Sequence, residues 1–236
     1  QFLKPLTVTI VNAAKKLELR PESNSQMNYW IDSFRSLALN CIWCHPHRFS
    51  SFAPVRSGCR IEWLVDAEAF YKSLVEAILA AKEEIYIHGW WVSPELHLMR
   101  PASLFPHTRL DRLLQKKAIE GVKVYMVVYK EFSLSIGINS MHTKTSFERL
   151  HPNIRVQRYP DHLTALLWSH HEKIVVIDQA VGYTGGTDLC YGRFDNSRHQ
   201  ITDYRPDDPT AAIWEGLDYS NPRIADFRNV AQHETP

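Results

Sequence analysis

His171-Glu172-Lys173-Ile174-Val175-Val176-Ile177-Asp178, continued after a short gap by Gly185-Gly186-Thr187-Asp188, is the stretch on which the fold turns. Four apolar β-branched residues in succession, Ile174 to Ile177, have the length and composition of a strand anchored in a core. Residues 181–184 read as a second strand close behind. Upstream the pattern alternates. A strand-like run at 61–65 leads into a helix over 67–82, with Phe70, Leu74, Ala77, Ile78 and Ala81 on one face. Residues 85–92 form the next strand, followed by a proline-containing loop over 94–106 and a helix over 109–120 that Gly121 stops. Residues 122–129 are nearly all apolar, as expected of a strand covered on both faces. A helix near 140–150 and a strand near 154–158 complete the region. This alternation predicts an α/β sandwich around a largely parallel sheet, with no internal repeat.

The first forty residues read differently. Residues 6–11 and 16–20 are strand-like, and the second alternates polar and apolar with period two, so it should be half buried. A helix over 25–39 carries Met27, Trp30, Ile31, Phe34, Leu37 and Ala38 at three- and four-residue steps. Two strands and one amphipathic helix cannot enclose a core alone. The segment resembles the closing end of a pleckstrin-homology domain, which finishes with strands and one helix bearing a buried tryptophan, here Trp30. The other reading is an N-terminal embellishment of the following domain. Residues 40–58 lack periodicity and read as a linker. The chain starts at Gln1 without a methionine and stops at Pro236 without a closing signal, so a fragment of a longer protein is expected.

At 236 residues the chain is long enough for one domain and a piece of another. Lys and Arg total 27 against 26 Asp and Glu, a net charge of +1 that argues against a nucleic-acid groove driven by bulk charge. Such a sum leaves room for a local basic patch. Hydrophobic residues at 44% and charged residues at 22% mark a folded protein rather than a disordered one. No apolar run approaches the roughly 20 residues a spanning helix needs, and no signal-peptide pattern opens the chain. Cys41, Cys44, Cys59 and Cys190 are too few and scattered for a disulfide framework, so a reducing compartment is the expectation. Cys41-Ile42-Trp43-Cys44-His45 has haem-attachment spacing, and His47 would complete a zinc quartet. A structural zinc site needs a second ligand pair further along, and only Cys59 follows. The cluster reads as incidental, and no metal is assigned.

His171 and Lys173 stand two apart at the start of a strand, so their side chains leave the same face. An imidazole beside a fixed cation suits phosphoryl chemistry: a nucleophile or proton shuttle next to a charge that stabilises the equatorial oxygens. The Gly185-Gly186 pair permits close backbone approach, and Asp188 can hydrogen-bond the lysine or the phosphate-binding groups. H-x-K-x4-D alone occurs by chance in a few per cent of chains this long, and the glycine pair with its acid lowers that by about three orders of magnitude. A decoy, His142-Thr143-Lys144, has Arg149 in the following acidic position and no glycine pair behind it. It reads as helix surface.

These residues resemble the HKD signature of the phospholipase D superfamily. The flanks Gly89-Trp90-Trp91-Val92-Ser93-Pro94-Glu95, Gly137-Ile138-Asn139-Ser140, His151-Pro152-Asn153-Ile154 and Asp188-Leu189-Cys190-Tyr191-Gly192-Arg193-Phe194-Asp195 are similar to the eukaryotic, animal-type phosphatidylcholine-specific enzymes. The similarity runs from about His47 to Asp203 and more loosely to the end. Those enzymes carry a pleckstrin-homology domain ahead of the catalytic region. The resemblance therefore implies the end of that domain over 1–39, a linker over 40–58, a first HKD half over 59–204, and an extended loop over 205–236 leading to a missing second half. His88-Gly89 depart from the family, which usually has an acid before the two tryptophans.

What the resemblance implies for chemistry is a two-step reaction. His171 attacks phosphorus to form a phosphohistidine, a histidine of the second half protonates the choline oxygen, and water or a primary alcohol releases the phosphatidyl group. Asp203 lies where the family's orienting acid lies, to hold the His171 ring in one tautomer. Asp178 completes the signature, with structural hydrogen bonds favoured over direct catalysis, and His170 is a neighbour rather than a second catalyst. Trp90 and Trp91 are core aromatics or part of an acyl-chain groove. The substrate-binding set is Gly185, Gly186 and Asp188. No cofactor is required for the chemistry, and phosphoinositides and small GTPases enter as activators through the family alone. Substrate phospholipid, a cytoplasmic location peripheral at membranes and no nucleic-acid partner follow. The alternatives are a homodimeric single-HKD phosphodiesterase or nuclease, and a non-catalytic lipid-binding fragment.

Overall fold

The computed structural model describes residues 6–11, 15–131, 137–160, 169–200, 208, 211–214 and 218, and Asp203 lies outside them. The chain divides into two units, Gln1–Glu62 and Trp63–Pro236. In the first, strands β1 (Val8–Val11) and β2 (Lys16–Leu19) pair antiparallel, and helix α1 covers Asn24–Asn40. Ser23 caps α1 through its Oγ, which accepts the Gln26 N–H at 3.1 Å, while Gln26 Oε1 accepts the Glu22 N–H at 2.7 Å. This is the reciprocal chemistry of a capping box, shifted by one residue. Trp30 is half-buried rather than buried, no residue of α1 is fully buried, and Leu17 of β2 is exposed. The expected burial fails because one hairpin and one helix offer too little apolar surface to surround a large side chain.

In the second unit, helix α2 (Asp66–Ala80) opens the chain's main core. Strand β3 (Glu84–Gly89), helix α3 (Leu110–Ile119), strand β4 (Lys123–Tyr129), helix α4 (Ser140–Leu150) and strand β5 (Ile154–Tyr159) follow, then strands β6 (Ile174–Ile177) and β7 (Val181–Thr184). The five strands form one sheet in the order β5-β4-β3-β6-β7. Residues 61–65, expected as a strand, lie outside any ladder with Ile61, Trp63 and Val65 exposed. Their apolar residues have no strand to pair with among the described residues.

The sheet is mixed rather than largely parallel. β3, β4 and β5 run parallel, because α3 and α4 provide the long crossovers that parallel pairs need. β6 runs antiparallel to both β3 and β7. The β6–β7 connection is only a tight turn, closed by the Ala180 N–H to Ile177 C=O bond at 3.0 Å, with Asp178 and Gln179 at φ of 50° and 51°. Two successive left-handed residues make the turn whose twist matches a hairpin, and so short a link excludes a parallel pair.

One face of this sheet is core. Ile85, Ile87, Val124, Met126, Ile154, Val156, Val175 and Ile177 pack with Tyr71, Leu74 and Ile78 of α2, Leu113 and Leu114 of α3 and Phe147 of α4. The opposite face presents Val176-Tyr86-Tyr125-Arg155 in one cross-strand row and Ile174-His88-Val127-Gln157 in the next. The Tyr86 and Tyr125 rings stack at 5.4 Å and remain exposed among the described residues. β4 is thus covered on one face, not two, although its sequence is apolar enough for both.

Candidate active site

Lys173 precedes β6 and is nearly buried, a costly position for an ammonium unless it is paired. Its Nζ lies 3.2 Å from Asp188 Oδ2, with side-chain exposures of 7% and 1%. It also donates to the His171 carbonyl at 2.8 Å and sits 5.6 Å from the Trp90 ring centre. Asp188 is held in turn. Its Oδ1 accepts the Trp90 and Trp91 N–H groups at 3.3 and 3.2 Å, and its carbonyl accepts the buried Tyr71 hydroxyl at 2.8 Å. Arg193 lies 3.8 Å from Asp188 Oδ2 and 5.8 Å from the Trp91 ring. Asp188 therefore ties the Gly89–Trp91 turn and the β6 entry through its carboxylate, and α2 through its carbonyl, to one point.

His171 stands at the rim of this assembly, exposed, its ring 5.0 Å from that of Trp90. Trp90 Nε1 is buried and has no hydrogen-bond partner among the described residues. Gly185 and Gly186 are exposed, and a Cβ at either would meet nothing within 4 Å, so the backbone there borders open space. His171, Lys173, Asp188 and the glycine pair belong to one end of β6 and β7.

Asp178 belongs to the other end. Its carboxylate accepts the N–H groups of Lys82, Glu83 and Glu84 at 2.8, 2.9 and 2.9 Å. The Glu84 bond first, with those from Glu83 and Lys82, holds its carboxyl below the usual aspartate range. Seven residues of extended chain place it on the order of 20 Å from His171, too far to touch the same phosphate. Asp195, another acid of this region, accepts from His199 Nδ1 at 2.9 Å, and that bond raises the His199 pKa. The decoy His142 is exposed on α4 and bonds Glu95 at 2.8 Å.

Sequence reasoning missed a second constellation. His88 Nε2 lies 3.0 Å from His170 Nδ1, with Glu172 beside both. Burial, and then the neighbouring His88, hold the His170 pKa below the ordinary imidazole value. The available signal was the alternation of residues 170 to 173, which sends 170 and 172 one way and 171 and 173 the other.

A buried lysine–aspartate pair thus stands beside an exposed histidine at the entry to a strand, next to a glycine-edged opening. The model of the phospholipase D family matches residues 77–208, and the chain belongs to that family. It is 43% identical to phospholipase D1 of Schizosaccharomyces pombe over 229 residues, covering 94% of this chain and 17% of that protein. Phospholipase D zeta 1 of Arabidopsis thaliana is 42% identical over 222 residues, 91% of this chain and 20% of that one. Human phospholipase D1 is 41% identical over 202 residues, 83% and 19% of the two chains. The chain spans a fifth or less of the length of these relatives.

Proposed function

We propose that this chain supplies the first of two HKD halves of a phospholipase D that cleaves phosphatidylcholine to phosphatidic acid and choline. The observation that carries the reading is the buried Lys173–Asp188 pair with His171 at its rim. A ring nitrogen of His171 attacks phosphorus, the N–P bond forms, and the P–O bond to choline breaks. The choline alkoxide takes a proton from an acid on the second half, since it leaves poorly without one. Water, or a primary alcohol, then displaces the histidine. Lys173 has three N–H donors, and two face Asp188 and the His171 carbonyl, which leaves the third for an equatorial phosphate oxygen. No cofactor takes part in these steps. Open space at Gly185 and Gly186 supports approach of the headgroup there. Asp203 is proposed to orient the His171 ring, and Asp178 is assigned to holding the strand.

The domain reading is proposed with it: the end of a pleckstrin-homology-like domain over 1–39, a linker over 40–58, the catalytic half over 59–204 and a connecting loop over 205–236. The open sheet face with Tyr86 and Tyr125 is the proposed seat of the second half. No helix among the described residues is long and apolar enough to cross a membrane, and peripheral attachment to phospholipid, with phosphoinositides and small GTPases as activators, rests on the family alone. The test is choline release from phosphatidylcholine vesicles by this chain, by the separately expressed remainder of its parent, and by both mixed. Activity only on mixing supports the split site. Activity of the chain alone, rising with the square of its concentration, would replace it with a homodimer.

A further inference from the structure

Consecutive residues entering β6 serve two different groups. His171 and Lys173 meet Trp90 and Asp188, whereas His170 and Glu172 meet His88, which lies on the open face of the sheet. We propose that His88, His170 and Glu172 bind one divalent transition-metal ion of the Zn2+ class, flanking the phosphodiester site without belonging to it.

The three donors converge. His88 Nε2 and His170 Nδ1 are 3.0 Å apart, and Glu172 Oε2 is 3.9 and 3.7 Å from them. Those last two distances exceed hydrogen-bond reach, so the carboxylate faces the pair of nitrogens without closing on either. Ligands at about 2.0–2.2 Å from one tetrahedral ion stand roughly 3.3–3.5 Å from each other, and adjustments of about half an ångström bring all three into range. The environment of His170 adds a second observation. Its side chain is only 9% exposed, its Nε2 is buried, and the backbone of Val128 and Tyr159 is placed to accept from the ring. A proton kept on Nε2, toward backbone carbonyls, leaves the Nδ1 lone pair aimed at His88 and Glu172, which is how ligating histidines are usually oriented. The Tyr129 and Tyr159 rings, 5.6 and 6.1 Å from His170, wall the site on that side. Glu172 at 55% exposure opens it on the other, leaving a fourth position for water. Two imidazoles and one carboxylate suit Zn2+ or Co2+ and disfavour Ca2+ and Mg2+, which take oxygen ligands. Bound there, an ion would clamp residues 170 and 172 and so steady the histidine between them. This inference rests on geometry and stands whether or not the proposed reaction is correct.

The test uses the whole chain with Cys41→Ser, Cys44→Ser and Cys59→Ser, which removes the competing thiols of the first unit. Co2+ is titrated by visible absorption and Zn2+ by calorimetry. The expected result is one ion per chain, a low-symmetry cobalt spectrum without thiolate charge transfer, and a melting temperature that rises with Zn2+. His88→Gln and Glu172→Gln should each weaken binding at least about tenfold and remove the Zn2+-dependent rise, with far-UV circular dichroism unchanged. His171→Asn should bind as tightly as its parent. Absence of binding, affinity unaltered in both Gln variants, or loss of binding in His171→Asn would each overturn the site.

Discussion

Lys173 and Asp188 form an ion pair of 3.2 Å with almost no solvent contact, and Asp188 also receives the backbone of Trp90 and Trp91. A buried charge is tolerated here because its partner is itself held by further bonds, from the N–H groups of Trp90 and Trp91. The cost of breaking such a pair by removing one member exceeds what the pair itself contributes, since the survivor is left charged and desolvated.

Asp188→Asn should therefore destabilise the chain by about 3–5 kcal/mol, the range for leaving one buried ion unpaired. Lys173→Met combined with Asp188→Asn should be milder than the sum of the two single changes, because both charges are gone. Urea denaturation of the four proteins measures this. An unchanged midpoint for Asp188→Asn would mean that the aspartate is not the lysine's counterion in solution.

In the full-length parent, His171→Asn and Lys173→Ala should abolish transphosphatidylation. Losing one donor aimed at the transition state typically costs ~2.7–4 kcal/mol, and losing the nucleophile costs more. Radiolabelled alcohol exchange measures it. Either variant keeping over a tenth of the parental rate would remove the role given to that residue.

Asp178 should matter for stability and not for turnover. Its carboxyl is held below the ordinary range by the N–H groups of Glu84, Glu83 and Lys82. A folded pKa lower than the unfolded one adds stability that is fully present above the unfolded value, about 3.9. That stability is lost as the pH falls through the folded value. Asp178→Ala should accordingly melt earlier than its parent at pH 7, with the gap shrinking on acidification below pH about 4. A gap independent of pH would show that the carboxylate charge is irrelevant to the turn.

The exposed Tyr86–Tyr125 stack should make the isolated chain self-associate, since contiguous aromatic surface of this kind seeks a cover. Tyr86→Lys with Tyr125→Lys should shift sedimentation toward monomer without altering the circular dichroism. A wild-type chain that stays monomeric at every concentration would assign that face to solvent.

The fold class was legible because each helix and strand of the second unit carries its own period, from Leu74 and Ile78 on α2 to the apolar run of β6. Strand direction was not. β3 and β6 are joined by Tyr86↔Val176 and His88↔Ile174, and nothing in either segment encodes antiparallel pairing across ninety residues. Residues 61–65 misled because strand-like composition measures fit to a neighbouring strand, and none pairs with them among the described residues. Burial misled too: β4 is apolar enough for two covered faces, yet Tyr125 is exposed. At the site, the H-x-K spacing located His171 and Lys173 together, whereas the part played by Trp90 needed the Asp188 carboxylate to fold its turn over. His88 stood in plain sight as a departure from the family, and only its side-chain contacts in the fold show it beside residues 170 and 172.

The bond from Asp178 to residues 82–84 spans up to 96 positions of the chain, and this has a consequence for the order of assembly. The β3-β4-β5 layer is built from neighbours and helical crossovers, so it can form as soon as residues 63–160 are available. The β6–β7 hairpin must then find the free edge of β3 about ninety positions back in the chain, and contacts so distant in sequence form slowly compared with local pairing. The segment carrying His171 is thus woven in last, onto a sheet already made. Until then the β3 edge stays unpaired, and Asp178, by accepting three backbone amides at once, is the latch that closes it.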